Sequence, residues 1–494
     1  MPLSRTTIRV MGVLFGVLSI DACAPSLEHA PAASLSVTPA TMPAAFDDGG
    51  TAPAGDADTT RAWRRFFTEP ALVQLIDSAL HTNQELAILL QEIEIARNEA
   101  RARSGEYLPS IGVSVGAGVE KVARYTRDGA VEHAVEIRPE RENPEPLRDF
   151  RVAAAMSWET DIWKRLRNST RAATLRYLAT TEGRNFMVSH LVAEVARTYY
   201  ELVSLDRRLS LIGETIGVQE RALEVVRLQK QAGRANELAV RRFEAEVQKN
   251  RGRLAETQQS VTSTQNRLNL LVGRFPEPVT RTAAAFDSLA MPSVVAGPPA
   301  TLLGDRPDIR QAELEMAAAK LDVKAARARF YPALGLRGAL GTQSIELGSL
   351  ATLPASALYG MAADLVAPAF NRRAIAAEYR AANARQLQAL FAYQRTVLTA
   401  YAEVGTQLAR IHNLDSSYVA KSRQVDALRE SITLADQLFR SARGDYLEVL
   451  LTQREALESR IELVELRLQQ LDARVSAFQA LGGGAPPVAG SMSP

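Results

Sequence analysis

Residues 110–120 read Ser-Ile-Gly-Val-Ser-Val-Gly-Ala-Gly-Val-Glu. Ile111, Val113, Val115, Ala117 and Val119 alternate with Ser110, Gly112, Ser114, Gly116 and Gly118, a period of two that puts one set on each side of a strand. The same alternation returns with Val152, Ala154, Met156 and Trp158 within Phe150–Thr160, with Leu334, Leu336 and Leu340, and with Tyr359, Met361, Ala363 and Leu365. Strands of about ten residues, apolar on one face and small or polar on the other, fit a transmembrane barrel. A half-buried soluble sheet would alternate in the same way, but none of these four apolar sets carries a charge. Four strands are too few to close a barrel, which needs at least about eight, and open edges do not occur in lipid. The chain is therefore expected to oligomerise. Eight strands fill their interior with side chains, so the small inward residues favour three chains and twelve strands.

Two tracts are free of proline: the 129 residues between Pro146 and Pro276, and the 117 between Pro368 and Pro486. Proline inside a helix costs about 3 kcal/mol or more, so these tracts predict long helices. Val240, Val247, Leu254, Val261 and Leu268 recur every seven residues, and Leu457, Ile461, Val464, Leu468, Leu471, Val475 and Phe478 step alternately by four and three. Both are heptad seams that pack against a neighbouring helix. Each tract breaks once, at Gln231-Ala232-Gly233-Arg234-Ala235-Asn236 and at Ala442-Arg443-Gly444-Asp445, where Gly ends one helix and Asn or Asp caps the next. Each tract is thus a helical hairpin, with tips near 233 and 443. The arm from Leu166 to Lys230 would span roughly 100 Å.

The chain repeats itself. Tyr107-Leu108-Pro109-Ser110 matches Phe330-Tyr331-Pro332-Ala333 at an offset of 223, and Leu238-Ala239-Val240 matches Leu447-Glu448-Val449 at 209. Leu270-Leu271-Val272-Gly273 likewise matches Ala480-Leu481-Gly482-Gly483. The difference falls mainly in the charged, proline-bearing stretch 123–148, which reads as an exposed loop. A repeat this long indicates duplicated halves, not a solenoid. The expected organisation is a signal peptide (1–22), a tether (23–60), a first repeat (61–290, strand pair 110–163), a second repeat (300–484, strand pair 333–368) and a tail (485–494).

Arg5 and Arg9 precede an apolar run, Val10–Ile20, too short to span a bilayer, which takes about 20 residues. This is the pattern of a secretory signal. The sole cysteine, Cys23, closes it in Leu18-Ser19-Ile20-Asp21-Ala22-Cys23. The segment resembles a bacterial lipobox, which would make Cys23 the acylated mature N-terminus; an ordinary signal with an incidental cysteine is the alternative. The stretch behind it, rich in Ala, Pro, Ser, Thr and Gly, reads as an extended tether. A formal charge of +2 argues against a nucleic-acid binder, and 46% hydrophobic residues argue against wholesale disorder. One cysteine excludes a disulfide scaffold, and five scattered histidines show no metal-ligand spacing. With no nucleotide loop, catalytic triad or cofactor fingerprint, no enzyme, metal or cofactor is assigned.

With these features in place, the chain resembles the outer-membrane factor (TolC-like) family, in particular its lipoprotein branch of NodT and OprM type in tripartite efflux systems. The resemblance rests on Trp63-Arg64-Arg65-Phe66-Phe67, Asn83-Gln84-Glu85-Leu86 and Ser157-Trp158-Glu159-Thr160-Asp161-Ile162-Trp163 in the first half. The second half adds Arg306-Pro307-Asp308-Ile309, Phe330-Tyr331-Pro332, Asp445-Tyr446-Leu447-Glu448-Val449-Leu450 and Ala480-Leu481-Gly482-Gly483-Gly484. Lys164 stands where these proteins usually have Gly, Asn371-Arg372-Arg373 replaces the usual Gly-rich turn, and Ala442 takes the place of a tip Gly. The resemblance implies a mixed α and β membrane protein: a homotrimer with a twelve-stranded outer-membrane barrel and a periplasmic α-barrel of long hairpins. It further implies a passive duct for drugs or other small molecules, docked to a periplasmic adaptor (membrane-fusion) protein and an inner-membrane pump of RND or ABC type.

The candidate site residues cluster at the tips. Asp445, with Asn236, is a candidate for the channel aperture; the plain N-cap reading of Asp445 stands first and is compatible with that role. Gly233, Arg234, Ala235, Arg443 and Gly444 are candidate adaptor contacts, or simple turn chemistry. Trp158 and Trp163 are candidates for the membrane interface, and Trp163 alternatively packs where strand meets helix. A protein-exporting type I secretion channel shares this architecture. A periplasmic coiled-coil scaffold that never enters a membrane is the reading from another class.

Overall fold

The computed structural model describes residues 63–138, 141–281, 283–368, 372–441 and 446–483, together with Pro43 and Phe46. The main helices are α1 Pro70–Thr82, α2 Gln84–Gly105, α3 Arg127–Ala134, α4 Arg165–Gln231, α5 Glu237–Val272, α6 Pro307–Ala328, α7 Arg373–Arg440 and α8 Tyr446–Ala480. The strands are β1 Ser110–Glu120, β2 Glu136–Arg138, β3 Arg141–Glu142, β4 Leu147–Thr160, β5 Ala333–Ser344 and β6 Ala357–Val366. Helices α4 and α7 run 67 and 68 residues without interruption, as the proline-free tracts predict. Among the described residues no helix is both long and apolar enough to cross a bilayer.

The chain divides into two compact units. The first holds the sheet, within Ile95–Tyr177 and Glu315–Leu390. Its strands lie in the order β1-β4-β5-β6, all antiparallel. The stretch expected as an open loop carries structure of its own, α3 and the β2/β3 hairpin. Thr126 caps α3 by accepting from the Gly129 N–H at 3.2 Å, and Arg124 Nε meets Glu145 at 3.0 Å across the base. Strand β4 also starts three residues before the alternation suggests. Arg148 and Asp149 break the apolar pattern, yet the ladder continues through Gly118↔Asp149 to Glu120↔Leu147.

The second unit holds the hairpin arms and their base, within Leu35–Glu94, Leu178–Leu314 and from Phe391 onward. Its main core joins Phe67, Leu72 and Ile76 to Leu202 and Leu211 of α4, Leu268 of α5 and Leu471 and Phe478 of α8. Phe66 and Phe67 both pack on the Phe478 ring, with centroids 4.7 and 5.3 Å away. Burying each such aromatic contributes about 1.5 to 3 kcal/mol. Phe46, from the segment expected as a tether, stacks on Tyr401 at 5.2 Å.

Candidate channel lining and hairpin tip

Strand register decides how the four alternations combine. Parity could have differed from strand to strand, since a slip of one residue flips every side chain. It does not. Ile111 faces Met156, Val113 faces Ala154 and Val115 faces Val152; onward, Trp158 faces Leu336, Leu336 faces Ala363 and Leu340 faces Tyr359. All four apolar sets lie on one side of the sheet. That side is solvent-exposed in the single chain, with Val113 at 77% and Met361 at 89%. A continuous apolar surface of this extent marks a membrane or partner contact.

The opposite side is small and polar. Its middle rows, Gly112-Ala155-Ala339-Gly360 and Ser114-Ala153-Gly341-Leu358, carry no charge. Charges sit beyond them at either end: Gln343 donates to Asp149 at 2.8 Å near one end, and Arg337 lies 3.7 Å from Asp364 near the other. Gly341 is required where it stands, because a Cβ there would fall 2.2 Å from the Val152 carbonyl oxygen.

At the end of the sheet from which α4 leaves, Asp161 accepts from the N–H groups of Leu166 and Arg167, both at 2.9 Å, and so caps the helix. Lys164, beside it, has φ 59, the left-handed region where glycine is at ease. Trp163 stacks on Tyr331 at 4.7 Å and its indole N–H donates to the Pro332 carbonyl at 2.8 Å. Trp158 donates to the Tyr107 carbonyl at 3.0 Å. Both tryptophans thus tie the sheet to the segments that enter it, and Trp163 makes the strand–helix junction contact that the sequence left open.

The first hairpin tip is built from the turn chemistry its sequence announces. Gly233 has φ 73; its N–H donates to the Lys230 carbonyl at 3.0 Å, and the Arg234 N–H to the Gln229 carbonyl at 2.8 Å. These two bonds satisfy the last carbonyls of α4 in a Schellman turn. Asn236 then caps α5, its side chain accepting from the Ala239 N–H at 2.9 Å. Gly233, Arg234 and Asn236 are exposed, whereas Ala235 packs on a small core of Val226, Val240, Phe243 and Leu450. Around the tip Lys230 pairs with Glu237, and Arg227 with Glu244 at 2.8 Å. These cations hold both carboxyls below their ordinary range. Asp445, Arg443, Gly444 and Cys23 lie outside the described residues.

Three features escaped the sequence. Gln219 and Asn250 are fully buried between the tip core and the main core, joined by one 2.8 Å bond from Asn250 Nδ2 to Gln219 Oε1. Asn250 falls three residues after Val247 of the heptad seam, which is the signal that could have located it. Arg306 is a buried hub. It grips Asp308 with two bonds at 3.0 and 2.7 Å and also donates to Glu403 at 2.9 Å and the Ala480 carbonyl at 2.8 Å. Burial alone would lower its pKa, but these partners hold it above the ordinary value. Finally, α5 and α8 end alike, on left-handed Gly273 (φ 77) and Gly482 (φ 81). Gly273 backs onto the carbonyl of Thr82 and Gly482 onto that of Asp305. The two glycines are 209 residues apart and the two carbonyls 223, the same offsets that relate the sequence halves.

Comparison with known proteins agrees with this geometry. The family model described as "Outer membrane efflux protein" matches residues 75–274 and again 299–483. The chain is 30% identical to the pyoverdine export outer membrane protein OpmQ of Pseudomonas putida, over 90% of this chain and 94% of that protein. It is 24% identical to the probable outer membrane lipoprotein SilC of Salmonella typhimurium, over 98% and 99%. The crystal structure of the open state of the Neisseria gonorrhoeae MtrE outer membrane channel superposes with a TM-score of 0.80 at 25% identity, covering 90% of this chain and 96% of that one. With its two matched segments spanning both halves, the chain belongs to the outer membrane efflux protein family.

Proposed function

We propose that this outer-membrane efflux channel works as a homotrimer. Three four-stranded sheets would close into a twelve-stranded barrel, and the hairpins would form a duct through the periplasm. The observation that carries the reading is the sheet itself: one continuous apolar face and two unpaired edges, β1 and β6. Open edges are not tolerated in lipid, and β6 pairing with β1 of the next chain removes them. The uncharged middle rows of the opposite face would line the passage, wide enough to be a channel. The chain would be passive, with the pump supplying energy through an adaptor docked at the hairpin tips. Gly233 and Arg234 are exposed for that contact, and Asp445 would recur three times at the mouth. Acylation of Cys23 would add a lipid anchor. OpmQ is named for pyoverdine export; a small-molecule cargo is the corresponding reading here.

The test is single-channel conductance in planar bilayers, with the mature mass measured in parallel. Discrete steps whose cation selectivity changes in Asp445→Ala, with a mass that includes acyl chains on Cys23, are expected. Well-folded oligomer without insertion or conductance would overturn the barrel.

A further inference from the structure

The two ends of the sheet differ in charge in a way that neither the fold nor the passage of solute requires. Register places Ser110, Thr160, Ala333 and Val366 at one end, and Glu120, Leu147, Ser344 and Ala357 at the other. The four segments that join the first end to the helices are residues 100–109, 161–170, 323–332 and 367–376. Together they hold ten Lys and Arg against two acids, in a chain whose total charge is +2. The connections at the opposite end, residues 121–146 and 345–356, hold five basic and seven acidic residues.

Most of the basic residues at the helix end are exposed, and Arg101, Lys164, Lys324, Arg327 and Arg373 make no ion pair among the described residues. Next to Lys164 in the chain lies a cleft of about 330 Å³, lined by Ile162, Trp163, Tyr331 and Val366, by Arg165 and Arg329, which pair with Glu159 and Glu378, and by the carboxylates of Glu159 and Asp161. The cleft supplies aromatic and aliphatic surface, and the unpaired cations outside it supply the charge, the two halves of a lipid's contact. Lys164 adds a second observation. It holds a backbone conformation that disfavours any side chain but glycine's, and backbone outliers of this kind cluster at functional sites. At this place the ammonium is the gain.

We propose that the helix-side end of the sheet is a docking collar for the headgroups of anionic diacyl phospholipids in the leaflet facing the periplasm. The phosphodiesters sit against the unpaired Lys and Arg side chains, with the acyl chains on the apolar strand face. The collar rests on the membrane-embedded reading of the sheet. It holds the barrel at a fixed depth and enriches anionic lipid around the duct.

The experiment reconstitutes the full-length protein in phosphatidylcholine vesicles and measures association of spin-labelled phosphatidylglycerol against spin-labelled phosphatidylcholine. Wild type is expected to prefer the anionic lipid by about threefold or more, with the preference shrinking in high salt. The variant Lys164→Gly/Lys324→Gln/Arg327→Gln/Arg373→Gln should bring the ratio close to one. Lys164→Gly alone relaxes the backbone and so keeps the fold, and should lower the ratio in part. Lys121→Gln at the opposite end should leave it unchanged. Equal association of the two lipids with inserted, conducting wild type overturns the collar alone, as does an equal loss in Lys121→Gln. Failure of wild type to insert in any lipid overturns the collar and the barrel together.

Discussion

A Cβ placed on Gly273 would fall 2.3 Å from the carbonyl oxygen of Thr82. Gly273 closes α5 in the left-handed region, and the same residue is where the base of that hairpin lies against the end of α1. Gly233, at the tip, has a nearly identical φ of 73 but open space around its Cα. The pair separates backbone strain from steric contact. Gly233→Ala should cost about 1 kcal/mol, the price of φ alone, and Gly273→Ala at least twice that, as a backbone carbonyl has to move. Urea midpoints of the two variants check this, and equal losses would refute the steric role of the Thr82 carbonyl.

The Gln219–Asn250 pair should behave asymmetrically. Asn250→Leu strands a buried amide on Gln219 and should destabilise by about 1 to 3 kcal/mol. Replacing both by Leu should be close to neutral or stabilising, because a buried polar pair is a poor source of net stability. A double-mutant cycle on thermal unfolding reads the coupling. What the double variant should lose is register, seen as broadened inter-helix distances between spin labels on α4 and α5.

Arg306→Ala removes the partner of Asp308, Glu403 and the Ala480 carbonyl at once. The expected loss is about 2 to 3 kcal/mol, below that of a fully enclosed pair because Glu403 is half exposed. Arg306→Lys should recover less than half, since an ammonium cannot reproduce the two-pronged grip on Asp308. Denaturant titration of the three proteins tests the order.

Alkali should expose Tyr199 and Tyr200. Burial pushes Tyr199 up to about 12 and raises Tyr200 as well. Both favour the neutral phenol in the folded state, so their contribution to stability is complete below pH 10, their ordinary value, and is lost as pH rises towards about 12. Phenolate absorbance should therefore show a late-titrating fraction that coincides with loss of helical signal, and Tyr199→Phe should reduce that fraction. A single titration at the ordinary value would contradict it.

Much of this was legible because it is periodic or local. Alternation located β1 to the residue, the arm read from Leu166 to Lys230 falls within one residue of α4 at each end, and Gly233 with Asn236 announced their own turn. Helix α3 was not legible: its eight residues include a glycine and form one cap, too little pattern to rise above a charged loop. The sequence match set Gly273 against Gly483, one residue past its structural counterpart Gly482, because the carbonyls of Thr82 and Asp305 that crowd Gly273 and Gly482 lie about 180 to 190 residues away in sequence. Arg306 stood in a quoted motif whose ordering role exists only once α7 and α8 arrive beside it. Long-range partners carry no local signature.

The bond between β4 and β5 joins strand from the first half to strand from the second, and it is antiparallel like the bond within each half. Nothing in the ladder records that the chain is continuous across that seam; the described residues of the connection from Arg274 to Pro298 contribute no strand. Severing the chain there would leave two fragments, each with a complete hairpin of sheet, a complete hairpin of helix and one strand edge, β4 or β5, whose backbone N–H and C=O groups pair with the other. In the proposed trimer the covalent link would fix stoichiometry, keeping two diverged modules in strict alternation so that each could specialise without the assembly mixing them.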